Sequence, residues 1–263
     1  MGLAGSLGSA GLWVMGVAAS APVVVLVGGV ATMYASTGLL GVPAAFVVLA
    51  VGLIPVTGSV MAAARHVNHA ATAYAVLAGG FGGVAGVAGG MVAVAAYTAI
   101  GCSLYGLLGS VLAGTLGGPW WSWALAAWVV VAGLGGVALT TNVTVIAVGV
   151  AGQLIIVGAV IAAGVSHPAA GLTLTGFAPA QMLGQGWAGV GGVLAFGVAA
   201  FIGYESPASY VEETRSPTAV VRAGLAGLAF LGVLYAVAAW AVGVAYGPTQ
   251  VVTAARDPGR ACH

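Results

Sequence analysis

Along most of this chain the apolar positions do not alternate with polar ones. They run on for twenty residues or more, and the polar residues gather at the breaks between runs. A helix needs about 20 apolar residues to cross the roughly 30 Å hydrocarbon core of a bilayer. A membrane strand would need a period-two alternation, which the pattern lacks. Turn residues divide the chain into seven predicted spans, at about 11–35, 44–64, 82–112, 122–139, 143–165, 187–210 and 219–246. The first pair is joined by Ser36-Thr37-Gly38 to Pro43. A weakly amphipathic linker covers Val67 to Ala78, Gly117-Gly118-Pro119 turns the chain before span 4, and a polar loop with His167, Pro168, Gln181 and Gln185 precedes span 6. The pattern predicts an all-α polytopic membrane helix bundle over residues 1–247, followed by a short external tail at 248–263.

Composition strengthens that reading. Apolar residues make up 61% of the 263 residues and charged residues 3%. A soluble domain carries roughly 25% charged residues, so lipid is the expected solvent for most of the surface. Gly occurs 46 times, and in membrane helices small residues let backbones approach closely. The run from Gly79 to Gly86 is read in this way, as tight helix packing. The net charge of +1 offers no basic stripe for nucleic acid. Cys102 and Cys262 form neither a disulfide framework nor a metal cluster. Val17-Ala18-Ala19-Ser20-Ala21 resembles a signal-peptidase site, but no positive charge precedes Arg65, so span 1 is expected to be retained.

Charge also predicts orientation. Arg65 follows span 2, and Arg215 and Arg222 lie between spans 6 and 7. Four crossings separate the two loops, which places all three arginines on one side. By the positive-inside rule that side is cytoplasmic, with a cytoplasmic N-terminus and an external C-terminus.

Two spans carry candidate chemistry. In span 6, Glu205 is the only acid attached to an apolar run, and it sits between Gly203 and Pro207. Intramembrane ionisable groups are expensive and face a cavity or a partner. Gly203 supplies a permissive backbone position, and Pro207 withholds a helical hydrogen bond. This predicts a helix that unwinds near Ile202–Ser206, with Glu205 lining a polar site; the bland alternative is a glutamate facing water near the helix end. Span 1 has a parallel interruption at Ala18-Ala19-Ser20-Ala21-Pro22, with Gly28-Gly29 as a second weak point. Spans 1 and 6 run in opposite directions, and corresponding interruptions in two halves point to an inverted-repeat transporter.

Phe201-Ile202-Gly203-Tyr204-Glu205-Ser206, followed by Glu212-Glu213-Thr214-Arg215-Ser216-Pro217, resembles the span-6 signature of permeases of the amino acid–polyamine–organocation (APC) superfamily. Ala18 to Pro22, Val27-Gly28-Gly29 and Tyr97 also look like one of its bacterial branches, and the resemblance covers about Gly11 to Val252. It implies a leucine-transporter-type fold of inverted repeats with broken helices 1 and 6. It implies proton-coupled transport of amino acids or related organic cations across the cell membrane. Ser20, Ala21, Pro22 and Val23 would form one half of the substrate site and Phe201, Ile202, Gly203 and Tyr204 the other. Tyr97 would line the site from span 3, and Glu205 would tune protonation or anchor the broken segment.

The chain departs from that pattern in the composition of its span-1 break and in ending after span 7, where the tail Ala255 to His263 shifts abruptly in composition. The expectation is therefore a truncated or frame-shifted permease. The alternative is a non-transporting fragment or membrane-interaction protein. The expected partners are lipid and a small amino acid or amine, with no nucleic acid and an open oligomeric state. No cofactor, metal or catalytic pair is expected. His66 and His69 have helix-compatible metal spacing without a third ligand nearby. His167 reads as a loop residue. Asn142-Val143-Thr144 fits a glycosylation sequon on the predicted cytoplasmic side, and no hydrolase or zinc-protease motif occurs.

Overall fold

A computed structural model describes residues 7–67, 69, 71–136, 139–214 and 216–256. The described residues are helical, without a strand; a single parallel bridge joins Leu7 and Thr214. Among them, six helical segments are long and apolar enough to cross a membrane: Ser9–Thr37, Val42–Ala64, Gly83–Leu116, Asn142–Ser166, Gly186–Glu213 and Thr218–Tyr246. This is the architecture of a multi-pass membrane protein. Helices suit it because each satisfies its own backbone in a medium without water.

The first long segment is composite. Helix α1 (Ser9–Ala19) stops at Ser20, and α2 (Pro22–Val24) resumes after Ala21. A π-helical stretch, Val25–Val30, then leads into α3 (Ala31–Thr37). After α4 (Val42–Val67) come α5 (Thr72–Phe81), α6 (Gly83–Leu116), α7 (Trp120–Gly135) and α8 (Leu139–Ser166). A 3-10 turn at Thr175–Phe177 and the short α9 (Pro179–Leu183) precede α10 (Gly186–Phe201). A 3-10 helix, Ser206–Glu213, completes that span, followed by α11 (Pro217–Tyr246) and α12 (Val251–Arg256).

The chain packs as two units, residues 1–65 with 146–263, and residues 66–145. In the first, the ends of the helices sort into two groups. At one end, Leu7 N–H donates to Glu213 O (3.0 Å), so span 1 begins where the Gly186–Glu213 span finishes. The Met61 side chain lies against Gly224, which puts the end of α4 beside the start of α11. At the opposite end Gly41 abuts Met182, and Gly176 packs on Pro43 and the Leu40 carbonyl. Trp240 Nε1 donates to Thr173 O (2.7 Å) and Ala169 N–H to Val244 O (3.1 Å). Gly164 lies on the Ala241 carbonyl, so α8 finishes here. Helix α12 also docks at this end, with Val251 buried and Arg256 Nε donating to Ala35 O (2.7 Å).

Small residues make the close approaches within this unit. Gly197 meets Leu49, Gly232 meets Ala50 and Gly16 meets Pro207. Each contact brings a backbone to a distance that a Cβ would prevent.

The second unit is a pair of helical hairpins. Helix α5 turns into α6 at Gly82, whose φ of +90° favours glycine. The two helices then run antiparallel, with Ala78 against Gly86 and Tyr74 against Gly90. Glycines 117 and 118, with φ of +78° and +84°, turn the chain again, and α7 folds back so that Ala124 lies on Gly109. Trp123 Nε1 donates to Gly117 O (2.9 Å) across the turn.

Two expectations change in detail. The predicted span at 122–139 is α7, a 16-residue helix, roughly 24 Å long at 1.5 Å per residue. In the glycine run from Gly79 to Gly86 one residue, Gly82, breaks the helix between α5 and α6. Only Gly86 in it packs closely, on Ala78, whereas Gly79, Gly80 and Gly83 have open space where a side chain would go. The turn arises because Gly82 breaks the helix before packing can use its neighbours.

Candidate functional site

The backbone leaves helical geometry in span 1 at Ala21. Its φ of 44° and ψ of 69° place an alanine in the left-handed region, where it is the only such non-glycine residue among those described. That geometry costs an L-residue of order 1 kcal/mol. Pro22 accounts for the departure from the right-handed helix, because a following proline disfavours that region, and proline at the first helical position loses no hydrogen bond. Ser20 Oγ turns back to donate to Gly16 O (3.2 Å).

Span 6 breaks at Ile202 and Gly203. Ile202 is extended, with ψ of 131°, and Gly203 has φ of 109°. The chain then turns tightly, with Tyr204 N–H donating to Phe201 O (3.2 Å) and Ser206 N–H to Gly203 O (2.9 Å). Glu205 folds back so that its Oε2 accepts from Gly203 N–H (2.9 Å). The carboxylate thereby takes up a donor that the interrupted helix releases.

The two breaks touch. A Cβ on Gly203 would lie 2.5 Å from the carbonyl carbon and oxygen of Ala19 and 2.9 Å from Ser20 N. Four residues earlier in span 1, a Cβ on Gly16 would stand 3.2 Å from both Tyr204 O and Pro207 Cγ.

Side chains fill what surrounds the contact. Tyr235 Oη donates to Ser20 O (3.2 Å), and Gln153 Oε1 accepts from Val23 N–H (3.4 Å). Phe46, Phe201 and Tyr235, each at most 1% exposed, form an aromatic cluster with centroid separations of 5.5–6.1 Å. Tyr204 Oη pairs with Thr57 Oγ1 (2.9 Å).

A cavity of about 260 Å³ opens beside the second break, between α4 and span 6. Its buried floor is Thr57, Met61, Phe201 and Tyr204, and its rim includes exposed Val56, Val60, Val198 and Ile202. Among the described lining residues Glu205 supplies the one carboxyl group.

No protein-family model, curated protein or solved structure matches this chain.

The predicted site residues separate into three groups. Phe201, Ile202, Tyr204 and Glu205 line the cavity. Ser20, Ala21, Pro22, Val23 and Gly203 form the breaks themselves, with Ser20, Pro22 and Gly203 buried against neighbouring elements. Tyr97 belongs to the second unit, where its side chain is 52% exposed. Thr57, Gln153 and Tyr235 were not anticipated. Each is a polar-tipped residue inside an apolar run, which is the signal that could have found them. His69 Nδ1 accepts from Ala71 N–H (3.0 Å), and among the described residues no three His, Cys, Asp or Glu side chains gather. His167 is exposed after the end of α8. Arg215 and the tail from Asp257 to His263 lie outside the described residues.

Proposed function

We propose that this protein is a permease, a secondary transporter that moves amino acids or related organic cations across the cytoplasmic membrane with proton coupling. One observation carries the reading: two antiparallel spans lose helical geometry at the same depth and meet there, Gly203 on Ala19. Interrupted spans supply main-chain polar groups at mid-membrane, which an unbroken helix cannot. Glu205 in the second break adds the acid a coupled transporter requires. The resemblance of Phe201 to Pro217 to the APC signature supports the same reading, as part of an inverted-repeat fold.

The proposed topology has seven crossings and a cytoplasmic N-terminus. In the first unit α4 ends at the Leu7 end and α8 finishes at the opposite one, so in this topology the chain enters α8 from the Leu7 side. A chain that leaves and re-enters at one face crosses an even number of times in between. The span Gly83–Leu116 therefore needs a returning partner, and α7, which folds back along it, supplies one despite its 16 residues. Exposed Trp120 and Trp121 at its start suit a membrane interface. Arg65 and Arg222 then fall on the Leu7 side, which the positive-inside rule makes cytoplasmic.

The test is uptake of labelled amino acids and amines into proteoliposomes under an imposed pH gradient. Wild-type protein is expected to accumulate solute, and Glu205→Gln to lose most of the gradient-driven component. Equal uptake by the two would remove Glu205 from the mechanism, and no uptake of any solute would overturn the permease reading.

A further inference from the structure

A second cavity, of about 410 Å³, lies at the end of the first unit away from Leu7, between span 1, α8, α11 and α12. Its floor is Leu26, Tyr34 and Val251, all buried, and its rim is Val27, Val160 and Tyr246, all exposed. In a membrane bundle an apolar rim of this kind faces lipid. The described lining holds no charged side chain, and the Tyr34 hydroxyl is engaged by Ala239 O (3.0 Å). These walls suit a hydrocarbon chain and would desolvate a polar solute without return.

Charge enters at one end. Val27, Ala31 and Ala35 follow one another at four-residue spacing along span 1, about one turn each, and the first two line the cavity. One turn beyond Ala31, Arg256 Nε donates to Ala35 O (2.7 Å). Ala254 and Ala255, just before that arginine, also belong to the lining. The guanidinium is therefore fixed at the outer end of the apolar surface, roughly 12 Å from Val27 along the helix at 1.5 Å per residue. Bonding through Nε leaves the Nη pair, the fork that grips phosphate oxygens. A Cβ on Gly38 would lie 3.5 Å from Arg256 Nη2 and 3.9 Å from Gln185 Nε2, so an amide donor stands close to the fork.

We infer that this cavity holds one anionic phospholipid, with its phosphate on Arg256 and an acyl chain lying between Val27 and Tyr246. Every membrane lipid offers the chain, so the headgroup is what separates a site from bulk lipid. One basic side chain at a bilayer surface favours an anionic lipid about fivefold. The inference is independent of the permease reading, because the cavity takes lipid whether or not a solute crosses.

The experiment titrates the purified full chain in detergent with dioleoyl phosphatidylglycerol or dioleoyl phosphatidylcholine and counts bound lipids by native mass spectrometry. The first phosphatidylglycerol is expected to bind about fivefold tighter than the first phosphatidylcholine. Arg256→Gln, which keeps a donor for Ala35 O, is expected to abolish that preference. Val27→Trp fills the cavity from a position that is 69% exposed. It is expected to weaken the first binding event for both lipids several-fold, which keeps the test decisive if Arg256→Gln loosens α12. Equal affinity for the two lipids, or a preference that survives Arg256→Gln, would overturn the inference, as would lipid binding unchanged by Val27→Trp. Glycerol phosphate, the headgroup without chains, is expected not to compete at lipid concentrations; full competition would make this a phosphate site and reject the lipid. Deleting residues 257–263 is expected to leave the preference unchanged. A several-fold gain in lipid binding on deletion would make that tail the occupant and overturn the inference.

Discussion

Gly203 is where the two broken spans come closest, and it has two reasons to be glycine. Its φ of 109° is strained for an L-residue, and a Cβ would collide with the Ala19 carbonyl. Gly203→Ala is expected to cost about 1–3 kcal/mol and to lower the thermal midpoint in detergent by roughly 5 °C. Gly191→Ala, in α10 where nothing lies within 4 Å, is the matched control and should leave the midpoint unchanged or raised. Tyr235→Phe removes the hydroxyl that donates to Ser20 O. The expected loss is about 1 kcal/mol, with faster hydrogen exchange confined to the amides around the span-1 break; unchanged exchange there would mean that the hydroxyl does not hold the break together. At this scale Glu205 and Gly203 were legible, because an acid and a flexible residue beside proline stand out in an apolar run. Their partners were not. Ala19 is one of many alanines, and nothing in the sequence indicates that Gly203 would rest on it.

At the scale of elements, long apolar runs gave the long helices directly, since hydrophobic length is a local property. Helix α7 was less legible. The run from Ser122 to Leu139 is apolar enough to span, yet the helix closes at Gly135. The parity of the first unit bears on its role, and single-cysteine labelling in a Cys102→Ser, Cys262→Ser background checks it. Ser122→Cys, at the start of α7, and Ser166→Cys, at the end of α8, are expected to react with a membrane-impermeant maleimide from outside intact cells. Ser216→Cys, before α11, is expected to react only after permeabilisation. Labelling of Ser122→Cys from the cytoplasmic side alone would remove α7 as a returning span. The π-helical stretch Val25–Val30 was foreshadowed by Gly28-Gly29, but its form depends on tertiary packing, because six residues of apolar sequence favour an ordinary α-helix equally well.

For the molecule as a whole, six long apolar segments among the described residues dictate its solvent. The protein is expected to stay in the membrane pellet through alkaline carbonate extraction; release into the supernatant would contradict the bundle. Its fixed point is the first unit, where helix ends from four regions of sequence converge on each side. Those convergences join residues as distant as Leu7 with Glu213 and Ala35 with Arg256.

By itself the sequence determined the solvent, the helical class, the approximate spans and the two positions where helices must fail, because hydropathy, proline and glycine act within a few residues of themselves. Tertiary structure alone decided that the two failures touch, that Tyr235 and Gln153 engage the polar groups one of them releases, and that open space lies between α4 and the second break. Those outcomes depend on how side chains distant in sequence divide a shared volume, and only packing fixes that division.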